Sequence, residues 1–405
     1  MPLSTGKGGE NPLPISTGLY DAKSKTSGIQ EAIDALPEAG GQVHLPAGNY
    51  DLRCSIRLPS RVRLIGEGAA TILRLSKLKA VSLSKNIRKG ARSMSLEKPL
   101  AIGVGDAVGI GDDHIRGWWG THAVVEDVQG NVLRLDRPLN RTVSTDRSAR
   151  AVTLFPAIWA EEATDLAISD LTIEGKGGYS GRWWDFTYAA IHVVSCQRAR
   201  ISGVTVRGWP SDGIGVQRGS DVQVSGCQVH DCRGHGYHPG TGLANSIWTQ
   251  NIGRNNGGDG LYFCMRVHHS ICSDSIFEHN AQNGIGGVGN GVDRHDIISN
   301  NVCANNGLCG IDANRGEEQM INGNLLLNNS QKAPGVWPGI RLHDLRRGLV
   351  QGNRCVDDQE SPTQTQGIVE SGSSDENLVS GNLCVTMVDA VKMVGRNSRS
   401  EGNLW

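Results

Sequence analysis

A glycine that recurs about once every 23 to 29 residues through the second half of the chain is the feature that most restricts the fold. An apolar residue or a tyrosine follows it each time. The glycines lie at positions 213, 236, 260, 284, 310, 339 and 367, and the register extends to Ala190 and Ala390. A tight turn followed by an inward-pointing side chain, repeated at this period, predicts a solenoid of stacked β coils.

A second repeat has the same period and consists mainly of asparagine. Asparagine tolerates a left-handed backbone, and its amide can hydrogen-bond to the same amide one coil above. Such ladders require coils that superimpose, so the two repeats together predict a parallel β-helix. The expected ladders are Cys227, Asn251, Ser275, Asn301, Asn324, Asn353 and Asn382, and Cys232, Asn256, Asn280, Asn306, Asn329 and Asp358.

Residues 17–75 have a different pattern, which predicts an N-terminal cap. Apolar residues at helical spacing within residues 27–36 predict one short amphipathic helix, and short strands follow it. The motifs are Asp21-Ala22-Lys23, Ile29 to Ala35, Gly40 to Tyr50 and Gly66-Glu67-Gly68. They resemble the N-terminal signature of the pectate lyase superfamily. The resemblance implies an all-β, single-stranded right-handed parallel β-helix whose open end is covered by the helix. Because that superfamily contains lyases, hydrolases, epimerases and phage tailspikes, it implies the activity only loosely.

The repeat is interrupted between residues 76 and 155, where we expect a small β insertion. Gln129-Gly130-Asn131 predicts a hairpin within it, and the insertion is expected to overhang one face of the solenoid. The expected organisation is a flexible N-terminus at 1–16, a cap and first coils at 17–75, the insertion at 76–155, and the remaining coils at 156–405.

Charge and composition exclude several classes of partner. The net charge is −1 and no basic run is present, which argues against nucleic acid. No apolar stretch approaches the ~18 residues needed to span a membrane. The first residues lack the pattern of a signal peptide, whereas the resemblance implies a secreted or periplasmic protein. The sequence leaves open whether the protein is a monomer or a homo-oligomer.

The ten cysteines show no metal-binding spacing and are expected to be small buried residues, with their pairing left open. We expect no obligatory metal or other cofactor. Calcium remains possible, because the resemblance includes pectate lyases that use it.

One outward-facing surface collects the reactive residue types. A β-strand alternates its faces, so the residue after each inward-pointing one faces out. The resulting column is His192, Gly215, His238, Tyr262, Gly286, Asp312, Arg341 and Val369. A second column lies two residues further along: Val194, Gln217, Gly240, Cys264, Val288, Asn314, His343 and Ser371. Since coils are ~4.8 Å apart, His238 should adjoin Tyr262, and Asp312 should adjoin Arg341.

This surface predicts an enzyme that cleaves a uronate-containing polysaccharide by β-elimination. The reaction needs a base, a cation for the carboxylate and an acid for the leaving oxygen. His238 is the expected base and Tyr262 the expected acid. Arg266 or Arg341 is the expected carboxylate clamp. The competing interpretation is that these are ordinary polar side chains on a solvated face.

A glycoside hydrolase or transglycosylase is the alternative, since hydrolysis needs two carboxylates near the scissile bond. Its candidates are Asp212 and Asp259, with Asp312. The run Gly234-His235-Gly236 is similar to one motif of the polygalacturonases, but their other motifs are absent here. An Asp-Gly pair is also a common turn element. An epimerase and a non-catalytic glycan-binding solenoid remain open.

Further residues are expected to bind a poly- or oligosaccharide. Tryptophan can stack on the C–H face of a sugar or serve as a buried anchor. The longer coils at 331–338 and 358–365 are expected to wall the groove. The expected binding residues are Trp118, Trp119, Trp183, Trp184, His192, Gln217, Asp212, His235, Asp259, Asn314, Arg315 and His343.

Overall fold

Three long parallel β-sheets wind along the chain in the computed structural model, and each coil contributes one strand to each sheet. The structure describes residues 15–75, 78–115, 119–175, 188–291, 293–385 and 387–405. The fold is a right-handed parallel β-helix, as the sequence predicts. No helix in these described ranges has the length and apolar character needed to cross a membrane.

The three sheets are named here in the order in which each coil visits them. Sheet 1 contains Ile56–Arg57, Ile158–Glu161, Ile191–Gln197, Ile214–Ser220, Tyr237–Pro239, Leu243–Ala244, Leu261–Tyr262, Ile285–Val288, Ile311–Asn314, Ile340–His343, Gln366–Ser371 and Asp389–Lys392. Sheet 2 contains Ile15–Ser16, Gly41–His44, Val62–Ile65, Ala167–Ser169, Arg200–Ser202, Gln223–Ser225, Ile247–Thr249, Ile271–Ser273, Ile297–Ser299, Met320–Asn322, Leu349–Gln351, Leu378–Ser380 and Arg399–Glu401. Sheet 3 contains Gly48–Leu52, Thr71–Leu75, Thr172–Gly175, Thr205–Arg207, Gln228–His230, Ile252–Arg254, Ile276–Glu278, Val302–Ala304, Leu325–Leu327, Arg354–Val356 and Leu383–Val385.

The N-terminal cap contains the expected short helix, at Ile29–Asp34. It begins after Gly28, whose φ of 85° is left-handed, and it buries Ile29 and Ile33 against the first coils. Short 3₁₀ turns lie at Thr17–Leu19, Gly68–Ala70 and Thr145–Arg147. Ile15–Ser16 was expected in the flexible N-terminus, but it pairs in parallel with the next strand of sheet 2. That pairing covers a strand edge which would otherwise be open.

The insertion forms a separate antiparallel sheet with its own apolar core. Its strands, in spatial order, are Ala80–Ser82, Arg150–Val152, Ala107–Gly111, Thr121–Gln129, Val132–Leu135 and Ser93–Ser95. The expected hairpin is confirmed, because Gln129 pairs with Val132. His122 of the insertion stacks 4.8 Å from Trp159 of sheet 1. The insertion therefore packs on the face that carries the outward column.

The glycine register is confirmed by the strand pairing of sheet 1. Ile191, Ile214, Tyr237, Leu261, Ile285, Ile311, Ile340 and Ile368 stack in consecutive coils and are fully buried. Tyr237 was the least certain inward residue, and its hydroxyl donates to the backbone carbonyl of Cys227 at 2.8 Å. A buried partner for the hydroxyl explains why a tyrosine is tolerated there.

The outward register needs one correction. Val288 was expected beside Asn314, but it pairs with Ala313 and is buried. The strand Ile285–Val288 holds one extra residue, so the register shifts after Ile285. Gly287, at a φ of 70°, supplies the left-handed conformation that this bulge requires.

The asparagine ladders are present and buried. In each, the backbone N–H of one residue donates to the side-chain oxygen of the residue one coil on, as from Asn280 to Asn306 at 3.0 Å. The expected last member of the second ladder, Asp358, is wrong. Asn329 instead donates to Gln364, and Asp358 bonds Asn328. The longer coil after residue 357 displaces Asp358 from the stack and brings in the longer glutamine.

We expect Asn306→Ala to destabilise the protein by about 3 kcal/mol. Asn306 accepts from Asn280 and donates its amide to the Phe277 carbonyl at 3.0 Å and to Asn329 at 2.9 Å. Alanine would leave several of these buried groups without a partner. The measurement is urea unfolding followed by circular dichroism. The control is Asn140→Ala, at an exposed position in the insertion, where the change should be small. Equal urea midpoints for the two variants would contradict the structural role of the ladder.

A buried aspartate makes stability depend on pH. Oδ1 of Asp296 accepts from the Ser270 N–H at 2.9 Å, while Oδ2 has no hydrogen-bond partner among the described residues. Burial raises the pKa of Asp296 to about 7, although hydrogen bonds from Ser270 and Gln319 oppose the rise. The folded state therefore binds this proton more tightly than the unfolded chain does. Stability should fall as pH rises from about 4 to about 7.

Asp296→Asn should remove this pH dependence and raise stability above pH 7 by on the order of 3 kcal/mol. An amide keeps an acceptor for Ser270 and adds a donor, as Asn377 does with the Leu345 carbonyl at 2.9 Å. The measurement is the urea midpoint of both proteins at pH 5 and at pH 8. Parallel pH curves for the two proteins would show that Asp296 is ionised in the folded state.

Candidate functional site

A buried carboxylate–imidazole pair lies at the centre of the outward column. Oδ2 of Asp212 lies 2.7 Å from Nδ1 of His238, and both side chains are about 1% exposed. Burial alone would lower the pKa of His238, but hydrogen bonds and negative charge from Asp212 and Cys264 raise it to about 9. Burial opposes ionisation of Asp212 as well, yet His238 and His235 lower its pKa. The pair therefore holds an imidazolium beside a carboxylate at neutral pH.

The turn before each marker glycine explains why Asp212 is held so firmly. The residues before these glycines form a third ladder of side-chain to backbone bonds: Asp212, His235, Asp259, Asn283 and Cys309. Oδ1 of Asp212 accepts from the His235 N–H at 2.8 Å, which leaves Oδ2 directed at His238. A single carboxylate thus joins the ladder and orients the imidazole.

Tyr262 lies on the coil after His238, as the register predicts. Its ring meets the His238 ring edge-on at 5.4 Å and stacks on His235 at 4.5 Å. Its hydroxyl accepts from Nδ2 of Asn290 at 3.0 Å. Burial and the charges of Cys264 and Asp259 raise the pKa of Tyr262 above its ordinary range. The phenol is therefore protonated over the whole working pH range.

Cys264 belongs to the same cluster, although sequence reasoning assigned it no role. It lies two positions after Tyr262, just beyond the end of the strand Leu261–Tyr262. Its backbone N–H donates to the carbonyl of Pro239, the residue after His238, at 2.9 Å, and its thiol lies 3.2 Å from the hydroxyl of Thr241. Burial alone would raise the pKa of Cys264, but the bond and charge of His238, with help from Thr241, lower it to about 7.

Asp312 and Arg341 pair as expected, but away from this cluster. Nε and a terminal nitrogen of Arg341 donate to the two oxygens of Asp312 at 2.6 and 2.8 Å. The guanidinium also lies 5.3 Å from the ring of Trp337, which belongs to the longer coil expected to wall the groove. Arg341 is three coils beyond Tyr262, roughly 14 Å along the sheet. It cannot clamp the carboxylate of a sugar that reacts at His238 and Tyr262.

Arg266, the other expected clamp, is not in the column either. It lies in an exposed turn beyond the strand Leu261–Tyr262, with a left-handed φ of 61°. There it lines a surface cavity together with His268, His269, Arg294 and His295. The turn rotates its side chain away from the outward face of sheet 1.

His192 and its neighbours form an aromatic end to the column. His192 meets Trp159 edge-on at 5.8 Å, and Arg57 lies 4.1 Å above the same indole. Burial and the nearby His238 charge lower the pKa of His192 to about 4. His192 is therefore neutral, and it can accept or donate one hydrogen bond without adding charge.

Some of the other expected binding residues are exposed, whereas the side chains of others already bond neighbouring groups. Gln217 is 1% exposed and its side-chain oxygen accepts from the Thr241 N–H at 2.9 Å, so its binding role stays a prediction for a side chain that already bonds the backbone. His343 is half-buried and bonds Ser371, while Asn314 beside it is half-buried and Arg315 is exposed. Trp119 is 53% exposed with Arg141 above its ring. The predictions for Trp118, Trp183 and Trp184 lie outside the described residues.

The carboxylates of the hydrolase alternative are all occupied by other residues. Asp212 bonds His238 and His235, and Oδ1 of Asp259 accepts from the backbone and side chain of Asn283 at 2.7 and 2.8 Å. Asp312 is held by Arg341. Burial raises the pKa of Asp312, although Arg341 opposes the rise. Asp212 and Asp259 are thus buried ladder members rather than exposed turn residues.

The described part of the chain contains no group of three or more His, Cys, Asp or Glu side chains arranged to hold a metal ion. The ten cysteines are all thiols in the structure, and eight of them are buried.

Comparisons with known proteins agree with the architecture. A family model described as "Right handed beta helix region" matches residues 157–295. The A-module of mannuronan C-5 epimerase AlgE6 from Azotobacter vinelandii is 16% identical, with 96% of this chain and 98% of that chain covered and a TM-score of 0.61. Tailspike protein 2 of a bacteriophage of Escherichia coli O157:H7 is 11% identical, with 91% and 42% covered and a TM-score of 0.57. No curated protein matches in sequence. At these identities the likeness establishes the fold alone.

Asp212→Asn should lower the pKa of His238 from about 9 to below its ordinary value of about 6.5. The substitution removes the carboxylate charge while the burial that disfavours imidazolium remains. The measurement is an NMR titration of the histidine ring signals. The matched control is Asp231→Asn, which removes the carboxylate that lies 2.8 Å from His230 in an exposed pair and should leave His238 unchanged. A His238 titration that is identical in Asp212→Asn and the unmodified protein would refute the pairing.

Proposed function

We propose that the protein acts on a uronate-containing polysaccharide by removing the proton next to the carboxylate, and that β-elimination of the 4-linked sugar follows. The single observation that carries this proposal is the buried Asp212–His238 pair with the ring of Tyr262 edge-on to the imidazole at 5.4 Å, on the outward face of adjacent coils. A sugar ring is about as long as the spacing between two coils. One ring can therefore face both side chains.

His238 is the proposed base. Asp212 accepts the hydrogen bond from Nδ1, and Nε2, on the far side of the ring from Asp212, is the nitrogen proposed to take the substrate proton. Asp212 then stabilises the imidazolium that forms, without itself becoming protonated. Since the resting pKa of His238 is about 9, half of it is in the basic form at that pH, and the basic fraction increases further above it. The site is accordingly suited to alkaline conditions.

Tyr262 is the proposed acid for the leaving oxygen. Its raised pKa keeps the proton on the hydroxyl, and the hydrogen bond from Asn290 fixes the position of the oxygen. With Arg341 three coils away, the amide of Asn290 is the proposed donor to the substrate carboxylate. A neutral donor stabilises the negative charge of the substrate less than a cation would. More of the driving force for proton removal must therefore come from the basicity of His238.

The likeness to a protein named mannuronan C-5 epimerase supports this class of chemistry and favours one second candidate. Epimerisation at C-5 begins with the same proton removal and ends with protonation from the opposite face of the ring. The tailspike likeness is compatible with a glycan partner but says nothing about proton transfer. Elimination and epimerisation differ in what happens after His238 has taken the proton.

We expect Tyr262→Phe to lower kcat on a uronate polymer by about 10²–10⁴-fold with little change in KM. The measurement is the absorbance of the unsaturated product. The matched control is Tyr50→Phe, because the Tyr50 hydroxyl bonds the Pro46 carbonyl in the N-terminal cap and is remote from the site in sequence and function.

In the unmodified protein kcat/KM should rise with pH and level off above about 9, since His238 must lose its proton to act as a base. A rate that falls through pH 9 would show that His238 acts as an acid.

The same assay separates the competing functions when it is run in D₂O. Deuterium at C-5 without unsaturated product would indicate an epimerase. New reducing ends without unsaturated product would indicate a hydrolase. Binding that survives both His238→Ala and Tyr262→Phe, with no product of any kind, would indicate a non-catalytic glycan-binding solenoid.

A further inference from the structure

We propose that Cys264 is a nucleophile and that this site also removes ester groups carried by its substrate, by acyl transfer through a thioester. The identity of the substrate as an acidic glycan rests on the function proposed above, whereas the reactivity of the thiol does not. The proposal starts from the order of three side chains on three successive coils. Asp212 holds His238 at 2.7 Å, and Cys264 lies on the next coil, where its backbone N–H donates to the carbonyl of Pro239, the residue after His238, at 2.9 Å.

This arrangement has the elements that activate a nucleophile. The imidazole next to a thiol takes its proton, and a carboxylate behind the imidazole fixes its orientation and stabilises its charge. The hydroxyl of Thr241 lies 3.2 Å from the sulfur and can donate to the thiolate. Cys264 is half-buried, unlike the eight cysteines of the core. The thiol is therefore not an inert filler of the core.

Comparison with the other cysteines within the chain strengthens this distinction. Eight are buried, and the thiols of Cys196, Cys227 and Cys232 bond backbone carbonyls, that of Cys232 the carbonyl of His230 rather than its imidazole. Cys54 is half-buried like Cys264 but lacks an imidazole partner. Burial and the charge of Asp106 raise the pKa of Cys54 to about 11. Two thiols of similar exposure thus differ in acidity because only Cys264 contacts a histidine.

The proposed step transfers an acyl group in two balanced halves. The Cys264 thiolate attacks the ester carbonyl carbon, the C–O bond to the sugar breaks, and the departing oxygen takes a proton from the His238 imidazolium. Water then attacks the thioester, His238 accepts the proton of that water, and the carboxylic acid leaves as the thiol reforms. The phenol of Tyr262, two positions before Cys264 in the chain, is the proposed donor to the carbonyl oxygen.

The two activities should have different pH windows. Ester cleavage needs the thiolate together with the imidazolium, which coexist between the pKa of Cys264 at about 7 and that of His238 at about 9. β-Elimination needs the neutral imidazole and rises above that window. The ionisable groups that face Cys264 are His238, Asp212 through His238, Tyr262 on its own strand, and Asp293 from the following coil.

The first test compares iodoacetamide labelling of Cys264 and Cys54 in the full-length protein, quantified by peptide mass spectrometry from pH 5 to 10. At pH 7 we expect Cys264 to react about 100-fold faster, after allowance for the lower nucleophilicity of a more acidic thiolate. His238→Gln should move the labelling curve of Cys264 to higher pH and leave that of Cys54 in place. Equal rates for the two cysteines would overturn the proposal.

The second test follows acyl transfer from p-nitrophenyl acetate and from an O-acetylated uronate polymer. We expect an acetyl group on the peptide that contains Cys264, and loss of ester cleavage in Cys264→Ser but not in Cys54→Ser. Acetylation elsewhere, or ester cleavage that survives Cys264→Ser, would overturn the proposal. Neither test requires the protein to cleave a glycan chain, so failure of the elimination assay and failure of this proposal are distinguishable.

Discussion

The structure depends on buried side chains that accept the backbone N–H of the preceding coil. A parallel solenoid has no short hairpins to fix its register, so each coil needs an independent reason to stack in phase with the next. The ladders through Asn280 and Asn301 supply it, because an amide in these turns satisfies two or more buried groups at fixed spacing. A slip of one residue would leave these groups unpaired inside the turn, and an unpaired buried polar group is costly.

A third ladder of the opposite direction, in which a side chain accepts the N–H of the following coil, produces the candidate site. Asp212 stands in a ladder position, where a side-chain oxygen must accept the N–H of His235. A carboxylate has a second oxygen, and the strand that follows brings His238 to it. Asparagine in that position would satisfy the backbone equally well but would leave His238 without a charge partner. Asp212 therefore belongs both to the structural ladder and to the candidate site.

Much of the fold could be predicted because the determining residues recur. The glycine period fixed which residues stack, and the inward position of Tyr237 follows from the apolar residues above and below it. The exceptions occur where the repeat is broken. The extra residue near Gly287 shifts the pairing of Val288, and in the longer coil Gln364 takes the ladder position expected for Asp358. A regular repeat spacing does not show where a coil contains extra residues.

The site was predictable in position but less so in composition. The predicted column correctly placed His238 beside Tyr262. It also included Arg341, which lies too far along the solenoid to act with them. The role of Cys264 was missed because cysteine is usually a small buried residue, and only its contact with His238 distinguishes it from the other nine. The sequence did contain one signal for the third ladder: Asp212, His235, Asp259, Asn283 and Cys309 each precede a marker glycine.

The central claim is that a uronate ring binds across the coils that carry His238 and Tyr262. The most direct measurement is a crystal structure of the Tyr262→Phe variant with a short uronate oligosaccharide, since this variant should bind substrate but turn it over slowly. The account predicts a sugar whose carboxylate contacts Asn290 and whose adjacent C–H points at Nε2 of His238. An oligosaccharide bound only elsewhere on the solenoid, with the His238–Tyr262 face unoccupied, would contradict it.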